Sequence, residues 1–204
     1  SSRCGAGSLE PHETARRSRK LTAPVGGSAD SKVGSPDVPR IGYNALGFDQ
    51  GRPSGLNRYT IELLRGLASS GAAEPVAFST AAGLPEIPAT ELRRSGLTYM
   101  SRSNFAGNLA RLLWYQTMLP NRLSKAGAEV FFSPVPEGML RPTCPQIVTI
   151  HDLLPLRYPA VYPRLQHYFA EVLPRLGRAS SAIVVDSRAT RDDLAEWGAL
   201  GETP

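Results

Sequence analysis

The sequence predicts an α/β fold built on a doubly wound, mostly parallel sheet. Two observations carry that expectation. Short apolar runs rich in Val and Ile, such as Gln146 to Ile150 and Ala182 to Val185, have the length and hydrophobicity of strands buried on both faces. Between them lie longer stretches with apolar residues at helical spacing. Strand and helix therefore alternate, the order that builds parallel sheets covered by helices.

Residues 1–39 are rich in Ser, Gly, Pro, Ala and Arg and poor in large apolar side chains, so they are expected to form a disordered tail. Residues 40–204 are expected to form one domain. Its first strand is Ile41 to Leu46, followed by a turn-rich loop from Gly47 to Gly55. Leu56, Tyr59, Leu63, Leu64 and Leu67 then recur at helical spacing, with Ser54 as N-cap and Gly71 as the stop. A second strand is expected at Pro75 to Ser79 and a third at Leu97 to Met100, with Ala81 to Gly96 irregular between them. A helix carrying Leu109, Leu112, Leu113, Tyr115 and Gln116 should end or kink at Pro120. Glu129 to Phe132 and Gln146 to Ile150 are the next strands. A helix from about Val161 carries Leu165, Tyr168, Phe169 and Val172 until Pro174 disturbs it. Ala182 to Val185 is the last strand, and Ser187 caps a helix to about Trp197.

A chain of 204 residues buries one full core. No apolar run approaches the roughly 18 to 20 residues of a membrane-spanning helix, and no signal-peptide pattern is visible. Cys4 and Cys144 have no second Cys at metal or redox spacing, so both are expected to be free thiols of a cytoplasmic protein. The first 40 residues hold seven cations against four carboxylates, which is +3 of the formal +5. So weak a body charge, without an aromatic-laced basic stripe, argues against nucleic acid. The cluster Arg16 to Lys20 leaves peripheral contact with an anionic membrane face open beside a solvated arm. No Gly-x-Gly-x-x-Gly, Walker loop, Gly-x-Ser-x-Gly elbow or His-Glu-x-x-His helix is present, which takes most of the weight from dinucleotide, P-loop, serine-hydrolase and zincin readings.

Two places remain for chemistry. Pro53-Ser54-Gly55 joins a strand to a helix, where a glycine admits close backbone approach and free amides face a phosphate; the plainer reading is a helix cap. His151-Asp152 directly follows the strand ending at Ile150, at the carboxyl end where doubly wound sheets form their crevice. A structural role for this pair in the loop stays open on position alone. His12 and His167 read as solvated or structural.

Taken in order, Arg40-Ile41-Gly42, Ser54-Gly55-Leu56-Asn57-Arg58-Tyr59, Leu113-Trp114-Tyr115-Gln116 with Leu119-Pro120, Phe132-Ser133-Pro134, Val148-Thr149-Ile150-His151-Asp152-Leu153, Tyr158-Pro159 and Val184-Val185-Asp186-Ser187 resemble the N-terminal domain of glycosyltransferase family 4. The resemblance implies one Rossmann-like half of a GT-B enzyme. It implies retaining transfer from a nucleotide sugar to a glycan or lipid-linked acceptor in polysaccharide biosynthesis, with no metal and no further cofactor.

Carried onto this chain, Gly55 matches the loop glycine near the donor phosphate, beside Ser54 where the family often has a second glycine. His151 matches the cleft histidine, Asp152 the neighbouring carboxylate that fixes loop and ring, and Ser187 a helix cap. The basic pair and Glu-x7-Glu motif of the donor half have no counterpart before Pro204, so the resemblance implies a chain truncated ahead of its donor domain and inactive alone. A non-catalytic Rossmann-like binding module, or an unrelated αβα hydrolase or epimerase using His151 and Asp152, are the competing readings.

Overall fold

Six short strands line up side by side in the order β3-β2-β1-β4-β5-β6, and all five pairings are parallel. The computed structural model describes residues 38–48, 54–80, 84–96 and 105–197, all within a unit spanning Gly34–Pro204. The elements are β1 (Arg40–Ala45), α1 (Gly55–Ser70), β2 (Glu74–Ser79), β3 (Glu91–Arg94), α2 (Phe105–Thr117), α3 (Leu119–Ala126), β4 (Val130–Ser133), β5 (Gln146–Ile150), α4 (Leu154–Arg157), α5 (Pro163–His167), a π-helical turn (Tyr168–Val172), α6 (Leu173–Ala179), β6 (Ala182–Val185) and α7 (Arg188–Glu196). This is the expected Rossmann-like α/β arrangement, with its strand order reversing between β1 and β4.

Alternation along the strands sends side chains to two covered faces. Val76, Phe78 and Phe131 point to the face covered by Trp114, Tyr115, Leu119 and Leu123 of α2 and α3. Tyr43, Ala45 and Ala77, joined by Phe132, pack against Ile61 and Leu64 of α1. Val148 and Ile150 build a third cluster with Phe169, Leu173, Leu176 and Leu194. Gly42 lets α3 sit close to β1, because a Cβ there would overlap Leu123 Cδ2.

Helix signals hold where side chains or φ angles enforce them. Ser54 Oγ accepts from Asn57 N at 3.1 Å, Ser187 Oγ accepts from Thr190 N at 3.1 Å, and Gly71 ends α1 in the left-handed region at φ 66°. Pro120 stands in the first turn of α3, just after the break at Met118.

Three expectations need correction. β3 lies at Glu91–Arg94, inside the stretch expected to be irregular; as an edge strand it is largely exposed, and Glu-Leu-Arg-Arg carries no apolar run to announce it. The alternative position, 97–100, falls outside the described residues, as do 1–37, Cys4 and Pro53. β6, expected to be buried on both faces, is the second edge of the sheet and only partly buried, with Val184 37% exposed. Pro174 disturbs its helix as expected: a π turn supplies a Leu173 N–H to Tyr168 C=O bond, and Pro174 becomes an early residue of α6. Leu56, counted on the buried stripe of α1, is 46% exposed, and Thr60 takes a buried place instead.

Candidate functional site

Because the strand order reverses between β1 and β4, the connections that leave these strands diverge, β1 leading to α1 and β4 into the segment 134–145, and open a crevice at the strands' carboxyl ends. A cavity of about 990 Å³ occupies that position, lined from β1 by Asn44 and Ala45, from α1 by Leu56 and Asn57, and from the segment after β4 by Pro134 to Glu137. Residues of α2, of α5 and of the π turn close its other sides.

Ser54 lines this cavity, and Gly55 is the first residue of α1. The Ser54 hydroxyl serves Asn57 N, which leaves the amides of Gly55 and Leu56 without an intrahelical acceptor. A Cβ on Gly55 would meet no atom within 4 Å, so packing inside this domain does not require a glycine there.

His151 emerges from β5 beside the cavity. Its Nε2 lies 2.9 Å from the Pro134 carbonyl oxygen and its Nδ1 3.2 Å from Asp186 Oδ2. Both partners are acceptors: a neutral ring donates to one of them, an imidazolium to both. Tyr59 of α1 meets the ring edge-on at a centroid distance of 4.9 Å, and Thr190 Oγ1 donates to the His151 carbonyl at 2.8 Å. The α1 start and His151 are thus brought together through Tyr59.

Asp152 turns away. It accepts from Leu154 N at 3.0 Å, so it fixes the loop into α4, whereas the carboxylate that orients the imidazole belongs to Asp186. Ser187 caps α7, as expected.

The floor of the crevice holds a polar network that sequence reasoning missed. Arg111 Nε donates to Glu137 at 3.1 Å, and an Arg111 guanidinium N–H donates to Asn108 Oδ1 at 2.6 Å. The Tyr115 hydroxyl lies 2.8 Å from Glu137 Oε2 and 3.1 Å from Asn44 Oδ1. Asn44 in turn donates to Ser133 Oγ at 2.8 Å, and Tyr168 donates to the Pro136 carbonyl at 2.6 Å.

Burial opposes the Arg111 charge, but the Glu137 carboxylate outweighs it and holds the guanidinium above its ordinary value. Burial first, and the Glu137 charge second, push the Tyr115 and Tyr168 phenols well above the usual tyrosine range. Gln116 and Gln146 hold the segment after Glu137 in place. Gln116 donates to Gly138 O at 3.0 Å and accepts from Leu140 N at 2.9 Å; Gln146 accepts from Met139 N at 2.7 Å. Among the described residues there is no group of three or more His, Cys, Asp or Glu that could hold a metal, and no helix long and apolar enough to cross a membrane.

A parallel sheet with its crevice at the strand reversal, an open helix N-terminus on one wall and a clamped histidine beside it, defines a domain of the Rossmann-like class. Residues 53–202 match the model of Glycosyltransferase Family 4, and the chain belongs to that family. A comparison with curated proteins found no match.

Proposed function

We propose that this domain forms the acceptor wall of a sugar-transfer cleft, in an enzyme that moves a sugar from a nucleotide-sugar donor to a glycan or lipid-linked acceptor with retention and without a metal. Family membership supports sugar transfer in general. The observation that carries the finer reading is His151, locked between Asp186 and Pro134 O and joined through Tyr59 to the helix that begins at Gly55.

In this reading the unpaired amides at the start of α1 face the donor phosphate and stabilise the charge that develops as the nucleotide leaves. The bond between the sugar C1 and the phosphate oxygen breaks, and the acceptor oxygen bonds to C1 from the same face. This same-face replacement preserves the configuration at C1, and the acceptor proton passes to the departing phosphate oxygen. Both His151 nitrogens are engaged by this chain, so the ring positions the sugar through the Pro134 segment it holds at the cavity wall and does not carry the proton. Asp152 shapes the loop. A donor-binding domain faces these groups across the cleft, and this half alone does not complete the alignment that lowers the barrier.

The test assays the 204-residue chain alone and fused to the donor-binding domain of a family 4 enzyme. UDP-glucose, GDP-mannose and UDP-N-acetylglucosamine are supplied with glycan and lipid-linked acceptors, in EDTA. The proposal expects nucleotide release and an anomer-retained product from the fused form only. An inverted product, EDTA-sensitive turnover, or full turnover by the chain alone would contradict it.

A further inference from the structure

Four large apolar side chains stand exposed around the mouth of the crevice: Leu56 at 46%, Leu109 at 44%, Val161 at 68% and Leu165 at 39%. Leu113, 54% exposed, continues the row one turn along α2 from Leu109. Single exposed apolar residues are ordinary on a protein surface, but a cluster around one cavity marks a binding surface. The floor beneath them is polar, with Glu137 retaining 23% exposure and a carboxylate able to accept more bonds than Arg111 and Tyr115 supply. Arg164 also lines the mouth, between Val161 and Leu165, and has no ion-pair partner among the described residues.

From this arrangement we infer that the crevice takes an amphipathic acceptor: a sugar head on the Glu137 floor, an acidic link beside Arg164, and a hydrocarbon tail leaving over Leu109 and Val161. The inference rests on the acceptor-wall reading and narrows its substrate class to lipid-linked sugars. A water-soluble glycan would leave the apolar mouth in contact with polar hydroxyls and gain nothing from it. A tail covers it, and each methylene that reaches the rim tightens binding by up to about fourfold, the equivalent of about 0.8 kcal/mol. An acidic link beside an exposed arginine adds about two- to fivefold.

Direct binding to the 204-residue chain tests this without any transfer. Hexyl, octyl and decyl glycosides with glucose, mannose or N-acetylglucosamine heads are titrated below their micelle concentrations by calorimetry. Affinity should rise by at least about tenfold from hexyl to decyl for the accepted head. Leu109→Ser with Val161→Ser, two exposed sites whose change leaves the melting temperature in place, should flatten that rise. Decyl glucosyl phosphate should bind more tightly than decyl glucoside, and Arg164→Gln should remove the difference. Length-independent affinity, or no binding of any glycoside by folded protein, overturns the inference. Equal binding of decyl phosphate lacking a sugar overturns it too and assigns the rim to a lipid surface. Because donor turnover is not measured, these outcomes stay separate from failure of the transferase reading, which shows in the fused-enzyme assay.

Discussion

Glu137→Ala should cost about 3 kcal/mol of folding stability, because it takes the carboxylate away from a buried guanidinium that keeps its bond to Asn108. Arg111 keeps 9% of its side-chain surface and Glu137 23%, so the pair is nearly but not wholly removed from water. Losing one partner of such a pair costs about 3–5 kcal/mol, and the residual exposure of Glu137 places the value at the low end. Tyr115 suffers less, since Asn44 Oδ1 remains 3.1 Å from its hydroxyl. For a chain of this size the loss corresponds to a melting temperature lower by about 6–12 °C. Urea unfolding followed by circular dichroism measures it. The control is Arg111→Met with Glu137→Leu, which removes both charges and should recover at least half of the loss. A double variant as unstable as Glu137→Ala would refute the argument, because the cost would then lie in packing and not in the lost charge pair.

Two further outcomes follow from the same geometry. Burial, with a smaller contribution from the Tyr59 charge, raises the Tyr43 phenol far above its ordinary value, so it stays neutral in the folded state. Its contribution is fully present below the unfolded pKa of about 10 and declines above it, by about 1.4 kcal/mol per pH unit, up to the folded pKa. Tyr43→Phe loses the 2.8 Å bond to Thr60 O, costing about 1 kcal/mol at neutral pH, and flattens the alkaline decline; an unchanged slope in urea titrations between about pH 9 and pH 11 would count against this. Gly55→Val meets open space within the domain, so it should shift the unfolding free energy by no more than about 0.5 kcal/mol while lowering transfer by the fused enzyme about 100-fold. Retained transfer would remove the start of α1 from the ligand's path.

The strands that sequence reading placed well are short apolar runs bounded by turn residues. Gln146–Ile150 lies inside the sheet and is mostly buried, whereas Ala182–Val185 shows the same kind of run although it forms a sheet edge and is only partly buried. The edge strand Glu91–Arg94 escaped because an edge needs only one paired side and tolerates charges throughout. Pro174 marked the disturbance of its helix but not the form it takes, because a π turn is a tertiary accommodation with no local sequence mark of its own.

At the site, position after a strand was enough to single out His151, but its carboxylate partner, Asp186, lies 35 residues away and was hidden behind the adjacent Asp152. Arg111 and Glu137 were invisible for a similar reason. An arginine on a helix and a glutamate in a loop read as solvated until the fold buries them together. The exposure of Leu109 and Val161 was equally hidden, since periodicity assigns apolar residues to a core.

The central claim is that His151 positions a sugar in the cleft. Its most direct test is the transfer rate of the fused enzyme carrying His151→Ala, compared with the unaltered form and with Asp152→Ala, at matched melting temperatures. Loss of a positioning group misplaces the reacting atoms, so His151→Ala should lower kcat/KM by about 100-fold, and Asp152→Ala, which only loosens the loop before Leu154, by far less. A folded His151→Ala enzyme that transfers sugar at the unaltered rate would contradict the account.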